Sequence, residues 1–207
     1  MLNKLLSNRL FVLYLAPFII GAFSTLSFEP FNLTIVNFLI LPIFFYFIIL
    51  INKKSKSVYR KKPFKKNFFL FGLFFGFGFY LSGISWITNS LTFDDNFKIL
   101  IPFALIIIPL FLGLFTGFTA LLIGPFLKFD FASLIIFSGG LSFSDYLRAK
   151  LFTGFPWNLW AYSTSSADEI LQILNMSGLY LYNLLTITFF TLPVIIFFKI
   201  RIIKKLF

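Results

Sequence analysis

Five apolar runs, near residues 10–28, 33–51, 68–91, 99–124 and 179–198, reach or approach the length a helix needs to cross a bilayer, which is roughly 20 residues for about 30 Å of hydrocarbon. In lipid a backbone must satisfy its own N–H and C=O groups, and runs of this length do so as helices. A sixth run, 131–147, is weaker. It carries Gly139-Gly140 and several serines, and is expected to form a helix packed inside the bundle. The surrounding chain is 59% apolar and 12% charged, with a mean hydropathy of +0.94, well beyond the roughly 45–50% apolar content of soluble domains. The expectation is an all-α polytopic membrane bundle of about six transmembrane helices, a single transmembrane domain over residues 1–207.

The first run does not read as a cleaved signal peptide. No small-residue cleavage pattern follows it, and the turn Phe28-Glu29-Pro30-Phe31-Asn32 leads directly into the second run.

A net charge of +11 raises the question of a nucleic-acid partner, but the bases sit in loops that border apolar runs, where they orient the helices. No nucleic-acid partner is expected. Lys53, Lys54, Lys56, Arg60, Lys61, Lys62, Lys65 and Lys66 crowd the loop 52–67, which should be cytoplasmic. Lys4 and Arg9 near the start, and Lys199, Arg201, Lys204 and Lys205 near the end, fall on the same side after six crossings, so both termini are expected in the cytoplasm. The loop with Asp94 and Asp95 then lies outside. The 52–67 cluster also suits binding of anionic phospholipid headgroups.

The chain has no cysteine and no histidine. Disulfides, thiolate nucleophiles, Cys/His zinc sites, His-ligated haem and Ser-His-Asp triads are excluded for these residues. No cofactor and no metal are expected, and no catalytic residue is assigned. Phenylalanine, 35 of 207 residues, is spread through every run and reads as packing and lipid-facing bulk.

Gly72, Gly76 and Gly83 in the third run lie close to one helical face, where small residues let another backbone approach. Gly113 and Gly117 repeat the device in the fourth. Pro102 and Pro109 free backbone carbonyls, so they either kink the fourth helix and open a groove or are simply tolerated.

Residues 153–162, Thr-Gly-Phe-Pro-Trp-Asn-Leu-Trp-Ala-Tyr, break this apolar chain with a Gly/Pro turn and polar-edged rings. Just upstream, Asp145 and Arg148 stand one helical turn apart and can pair. The pair either offers a guanidinium fork to a phosphate or forms a salt bridge that holds the following loop. Phe155, Pro156, Trp157 and Tyr162, with Trp86 near the end of the third run, suit either a grip on lipid at the headgroup level or an interfacial anchor. Adjacent Asp94 and Asp95 suit a hard cation or a solvated loop. Glu29 is a solitary acid in a turn. Ser142 and Ser144 lack a nucleophile elbow and a histidine base.

Several dispersed motifs occur together: Leu26-Ser-Phe-Glu-Pro-Phe-Asn32, the glycine-rich stretch Gly72 to Trp86, Asp145-Tyr-Leu-Arg148, Thr153-Gly-Phe-Pro-Trp157, Tyr162, and Leu171-Gln-Ile followed by Gly178-Leu-Tyr180. In this order they resemble the amino-terminal membrane half of bacterial apolipoprotein N-acyltransferase, over essentially the whole chain. Glu29 departs from the small or proline residue usual in that family, and Asp145 from its more common Glu. The resemblance implies a multi-pass protein of the bacterial cytoplasmic (inner) membrane that handles membrane phospholipid and a lipoprotein substrate. In the family, acyl transfer is carried by a nitrilase-like domain with a Glu, a Lys and a thioester-forming Cys. These 207 residues hold no counterpart of that domain. The resemblance therefore implies a split-enzyme subunit, working with a separately encoded nitrilase-like catalytic subunit, or an inactive remnant. Arg148 and Trp157 are the residues it points to for substrate contact. A small multi-pass transporter or a lipid-binding membrane scaffold is the alternative.

Overall fold

The computed structural model describes residues 8–55, 65–151 and 154–206. Lys4, the basic-loop residues Lys56, Arg60, Lys61 and Lys62, and Thr153 of the turn motif lie outside the described residues, as do the side chains of Lys199, Arg201, Lys204 and Lys205.

The described residues form helices and turns only. Helix α1, Phe11–Ser27, opens with a π-helical stretch, Phe11–Leu15, and closes with a 3-10 turn, Thr25–Ser27. After the turn with the cis Glu29-Pro30 peptide come α2, Asn37–Ser55, and α3, Lys65–Ile84. Two 3-10 segments, Ser85–Thr92 and Asp95–Leu100, lead into α4, Ile101–Ile123. Then follow α5, Phe131–Lys150, the 3-10 turn Trp160–Thr164, two short helices, α6 (Asp168–Leu171) and α7 (Ile173–Ser177), and the long α8, Leu179–Leu206.

The expectation of about six spans is refined. Four stretches among the described residues are long and apolar enough to cross a membrane: Thr34–Lys54, Lys65–Thr92, Asp95–Phe126 and Leu179–Ile196. Helix α1 is apolar but shorter. Helix α5 has the length, but Ser133, Ser138, Ser142, Ser144, Asp145 and Arg148 dilute its hydropathy. Those residues are all buried, while Ile135, Ile136 and Phe143 are exposed. The helix is thus polar inside and apolar outside, which suits a lipid-facing element that brings polar groups into the bundle. The third run also changes geometry before its end. Helix α3 stops at Ile84, and residues up to Thr92 tighten into 3-10 turns.

Helices α3 and α4 form the most extensive pair, followed by α1 with α3 and α5 with α8. Glycine explains the first two. A Cβ on Gly72 would lie 2.5 Å from the Thr116 carbonyl oxygen, and one on Gly76 would lie 2.7 Å from the Gly113 Cα. On another face of α3, a Cβ on Gly78 would run into the Phe18 carbonyl, and one on Gly21 of α1 into the Phe75 carbonyl. Gly83 is a correction to the expected helix seam. Its missing side chain makes room for the Asn158 amide and Thr25, not for α4.

The core between these helices is aromatic. Phe44 stacks on Phe75 at 3.9 Å between ring centroids, and Phe137 meets Phe44 and Phe45 edge-on at 5.5 and 5.2 Å. Near the basic loop, Asn52 Nδ2 donates to the Pro125 and Leu127 carbonyls at 3.0 and 3.1 Å, and Lys53 Nζ lies 4.8 Å from the centre of the Phe129 ring. Arg9 donates to Asn67 Oδ1 at 3.2 Å. The opposite, far end of the bundle carries the turn at Glu29, the 3-10 segments after α3, and residues 154–178.

Candidate functional site

Helix α5 ends at the far end with Asp145 and Arg148 on its buried stripe. Arg148 is only 1% exposed. Its Nη1 donates to the carbonyls of Phe155 at 2.6 Å and Trp157 at 2.7 Å, and its Nη2 donates to Asp145 Oδ1 at 3.0 Å. The guanidinium also lies over the Tyr80 ring of α3, 5.1 Å from its centroid, a cation–π contact within the productive range of about 6 Å. Of the two readings open for this pair, the geometry is that of the loop clamp. The planar fork is turned onto two backbone carbonyls and a carboxylate, and no face of it reaches lipid or solvent.

A second clamp comes from α8. Asn183, fully buried, donates through Nδ2 to Asp145 Oδ2 at 2.9 Å and accepts at Oδ1 from the Ala161 backbone N–H at 2.8 Å. Tyr182 shares a 2.5 Å hydrogen bond with Thr164, and Thr164 donates to the Ala161 carbonyl at 2.8 Å. The 3-10 turn Thr34–Val36 and the first residue of α2 supply a third. Thr34 donates to the Ser163 carbonyl at 2.6 Å, and Asn37 Nδ2 donates to Ser163 Oγ at 2.7 Å. The loop can follow this path because Gly154 and Asn158 take positive φ, 79° and 54°, a region glycine enters freely and asparagine more readily than most residues.

This frame places the predicted aromatics. Trp160 is buried and stacks on Phe79, 5.3 Å away with planes 2° apart. Trp157 is half-exposed and meets half-exposed Trp86 edge-on at 5.5 Å, with the Phe155 ring tilted against it at 6.3 Å. Asp145, Arg148, Phe155, Trp157 and Trp86 are therefore brought together. Pro156 is exposed on the same turn, while Tyr162 sits beyond the buried Trp160, partly exposed. Burial first, and then neighbouring Tyr180, raise the Tyr162 phenol above its ordinary pKa.

An apolar hollow of about 420 Å³ opens between the Ser85–Thr92 turns and α4, walled by Ile87, Thr88, Leu91, Phe103, Ala104 and Ile107 and not by Trp86. Asp94 and Asp95 are solvated: Asp94 accepts from the Asn96 backbone N–H at 2.9 Å, and Asp95 pairs with Lys98 at 2.6 Å. Glu29 is exposed. Ser142 donates to the Tyr180 carbonyl at 2.9 Å, tying α5 to α8.

Asn183, Thr164, Asn37 and Ser163 were not singled out from sequence. The available signal was a lone asparagine inside an apolar run, since a buried amide needs partners. Its partners lie on elements far apart in the chain, and no spacing rule reveals them.

The family model for the apolipoprotein N-acyltransferase N-terminal domain matches residues 20–192. Among similar proteins, the apolipoprotein N-acyltransferase of Brucella suis biovar 1 (strain 1330) is 30% identical over 185 residues, 88% of this chain and 34% of the relative. That of Rhodopseudomonas palustris is 32% identical over 177 residues, 85% of this chain and 32% of the relative. That of Sinorhizobium medicae is 27% identical over 191 residues, 91% of this chain and 35% of the relative. The chain spans about a third of the length of these curated relatives. What matches is a helical membrane bundle with its far-end loop, and the chain belongs to the apolipoprotein N-acyltransferase family through that N-terminal domain.

Proposed function

We propose that this chain is the membrane half of an apolipoprotein N-acyltransferase system in the bacterial cytoplasmic membrane, holding phospholipid and lipoprotein substrates for a nitrilase-like catalytic unit that lies outside these 207 residues. The observation that carries this reading is the clamped loop. Three helices fix it with largely buried hydrogen bonds, and what it presents is Trp157 and Phe155 beside Trp86. Two amphipathic rings side by side, each with an apolar body and a polar edge, suit contact with a lipid at the level of its ester.

In the transfer this family name denotes, the phospholipid acyl carbonyl forms a bond to a cysteine thiolate and the lysophospholipid oxygen leaves. The free amine at the lipoprotein's first residue then attacks the thioester, the amide forms and the thiolate is released. Splitting the transfer this way replaces one hard step by two easier ones. This chain has no cysteine, so its part is orientation. Held ester and amine react as if at high effective concentration, and small displacements are expensive. Trp157 and Trp86 would touch substrate, while Arg148, Asp145 and Asn183 would act through the loop as positioning residues.

The test is reconstitution in proteoliposomes with a nitrilase-like catalytic partner and a diacylated lipoprotein. N-acylated product is expected, and Trp157→Ala should lower its rate roughly ten- to hundredfold while the complex stays assembled. An unchanged rate in an assembled complex would remove Trp157 from the site, and no product from the wild-type pair would leave the chain an inactive remnant.

A further inference from the structure

Helix α5 has the length to cross the bilayer but not the composition to do so unaided. Its 20 residues rise about 30 Å at about 1.5 Å each, the thickness of a hydrocarbon core. Its two ends lie at the two ends of the bundle. The chain just before it is held at the end of α2, where Asn52 donates to the Pro125 and Leu127 carbonyls and Lys53 lies over the Phe129 ring. Its last turn holds the loop whose Trp157 meets Trp86, just beyond the opposite end of α3. Yet α5 is not among the four stretches apolar enough to span, because its buried stripe carries Ser138, Ser142, Asp145 and Arg148. Alone in lipid that stripe would be costly. Arg148 covers one oxygen of Asp145 from within α5. The rest of the answer comes from α8: Asn183 Nδ2 donates to the other Asp145 oxygen at 2.9 Å, and Ser142 donates to the Tyr180 carbonyl at 2.9 Å.

We infer that α5 crosses the membrane only together with α8, and that the Asn183 amide is the group that couples their insertion. Helix α8 can lead. Its stretch Leu179–Ile196 is apolar enough to span on its own, and its buried threonines Thr186 and Thr191 donate to carbonyls one turn back in the same helix. Asn183, fully buried, instead reaches out of α8 in two directions, to Asp145 of α5 and to the Ala161 N–H of the segment that joins the two helices. A polar side chain in lipid gains most from a partner on another helix, and here one amide serves both α5 and the connecting loop. Once the stripe is covered, the face of α5 left exposed carries Ile135, Ile136 and Phe143, which suits lipid. An order of events follows. Because α8 comes after α5 in the chain, α5 has no stable place in the bilayer until α8 is made. The Trp157 loop between them therefore crosses already tied to both, and no half-built loop is displayed. The inference needs no acyl transfer, so it stands or falls apart from the proposed function.

The test uses full-length chains that carry one thiol, from Pro156→Cys beyond α5 or from Lys128→Cys before it, both exposed positions. Newly made chains are treated with a membrane-impermeant maleimide in intact spheroplasts and again after the membrane is opened, so that each thiol is assigned to a side. With no other change, the thiols at 156 and 128 should lie on opposite sides. Asn183→Leu makes α8 more apolar but removes the amide; it should lower the ratio of crossed to uncrossed thiol at 156 about tenfold, equivalent to about 1.4 kcal/mol, within the range of an interhelical hydrogen bond in lipid. Thr188→Leu is the matched control, since that hydroxyl donates within α8 to the Leu184 carbonyl, and it should leave the ratio unchanged. Adding Asp145→Leu and Arg148→Leu to Asn183→Leu renders α5 apolar and should restore crossing although the loop clamp is gone, a recovery that general misfolding would not give. Thiols at 128 and 156 on one side, an unaltered ratio in Asn183→Leu, an equal fall in Thr188→Leu, or no recovery in the triple variant would each overturn the inference.

Discussion

Truncating Arg148 to alanine would leave the Asp145 carboxylate buried, with Asn183 as its remaining partner, and would strip donors from the Phe155 and Trp157 carbonyls. Removing one member of a buried ion pair costs about 3–5 kcal/mol, so Arg148→Ala should lower the unfolding midpoint sharply in detergent. Asn183→Ala leaves the Ala161 N–H and one carboxylate oxygen unpaired, at about 1–3 kcal/mol for each unsatisfied group. Trp157→Ala, at a half-exposed ring, should change stability by no more than about 0.5 kcal/mol. The contrast separates positioning from contact. If Arg148→Ala melted like wild type, the clamp described above would not be what holds the loop. The sequence showed that Asp145, Arg148 and Trp157 belong together, because a one-turn acid–base spacing beside a Gly/Pro aromatic turn is a local pattern. It did not show which way Arg148 faces. That is decided by Tyr80, from α3, and Asn183, from α8, whose approach is set by helix packing and leaves no mark on spacing.

Helix pairing gives a second, independent set of expectations. Gly76→Val would drive a β-branched side chain into the Gly113 backbone and the Thr116 side chain. Backbone cannot yield as a side-chain end can, so overpacking of at least about 1–3 kcal/mol is expected. Gly139→Ala is the matched control: a Cβ there meets nothing within 4 Å, and a mid-helix glycine gives up about 0.5–1 kcal/mol relative to alanine, so α5 should become slightly more stable. The same helix begins at Asp130, whose carboxylate accepts from the Ser133 backbone N–H at 2.7 Å. That bond, first, and then the Ser133 side chain hold its pKa below the ordinary value. Asp130→Ala should cost about 0.5–2 kcal/mol. Since the folded-state pKa is the depressed one, the cap contributes above the ordinary aspartate pKa and is lost as pH falls through that value and below it. A pH titration of unfolding should therefore show a wild-type acid limb that the variant partly lacks. The helices were legible from run length, and close backbone approach at Gly72, Gly76 and Gly113 from their spacing, though not that α3 and α4 are each other's partners. The partner of Gly83 was not, since helical phase places it with Gly72 and Gly76 whereas the chain beyond α3 brings Asn158 there instead.

The charge asymmetry along the bundle makes orientation a test of the entire reading. Among the described residues, Arg9, Lys53, Lys54, Lys65, Lys66 and Lys128 collect at one end with Asp130, and Glu29, Asp94, Asp95 and Glu169 at the other with Lys98 and Lys150. Lys and Arg in short loops next to spans are retained in the cytoplasm, whereas acids contribute little; on this rule the basic loop 52–67 dominates, and the expected outcome is a Trp157 loop that faces away from the cytoplasm. A chain without cysteine allows a clean measurement, because each introduced thiol is the only one. Pro156→Cys, exposed on the Trp157 turn, should react with a membrane-impermeant maleimide in intact spheroplasts. Lys54→Cys, at the end of α2, should react only after the membrane is opened. The reverse pattern would put the aromatic loop in the cytoplasm. The proposed function would then fail, and the clamped aromatics would have to be read as an interfacial anchor.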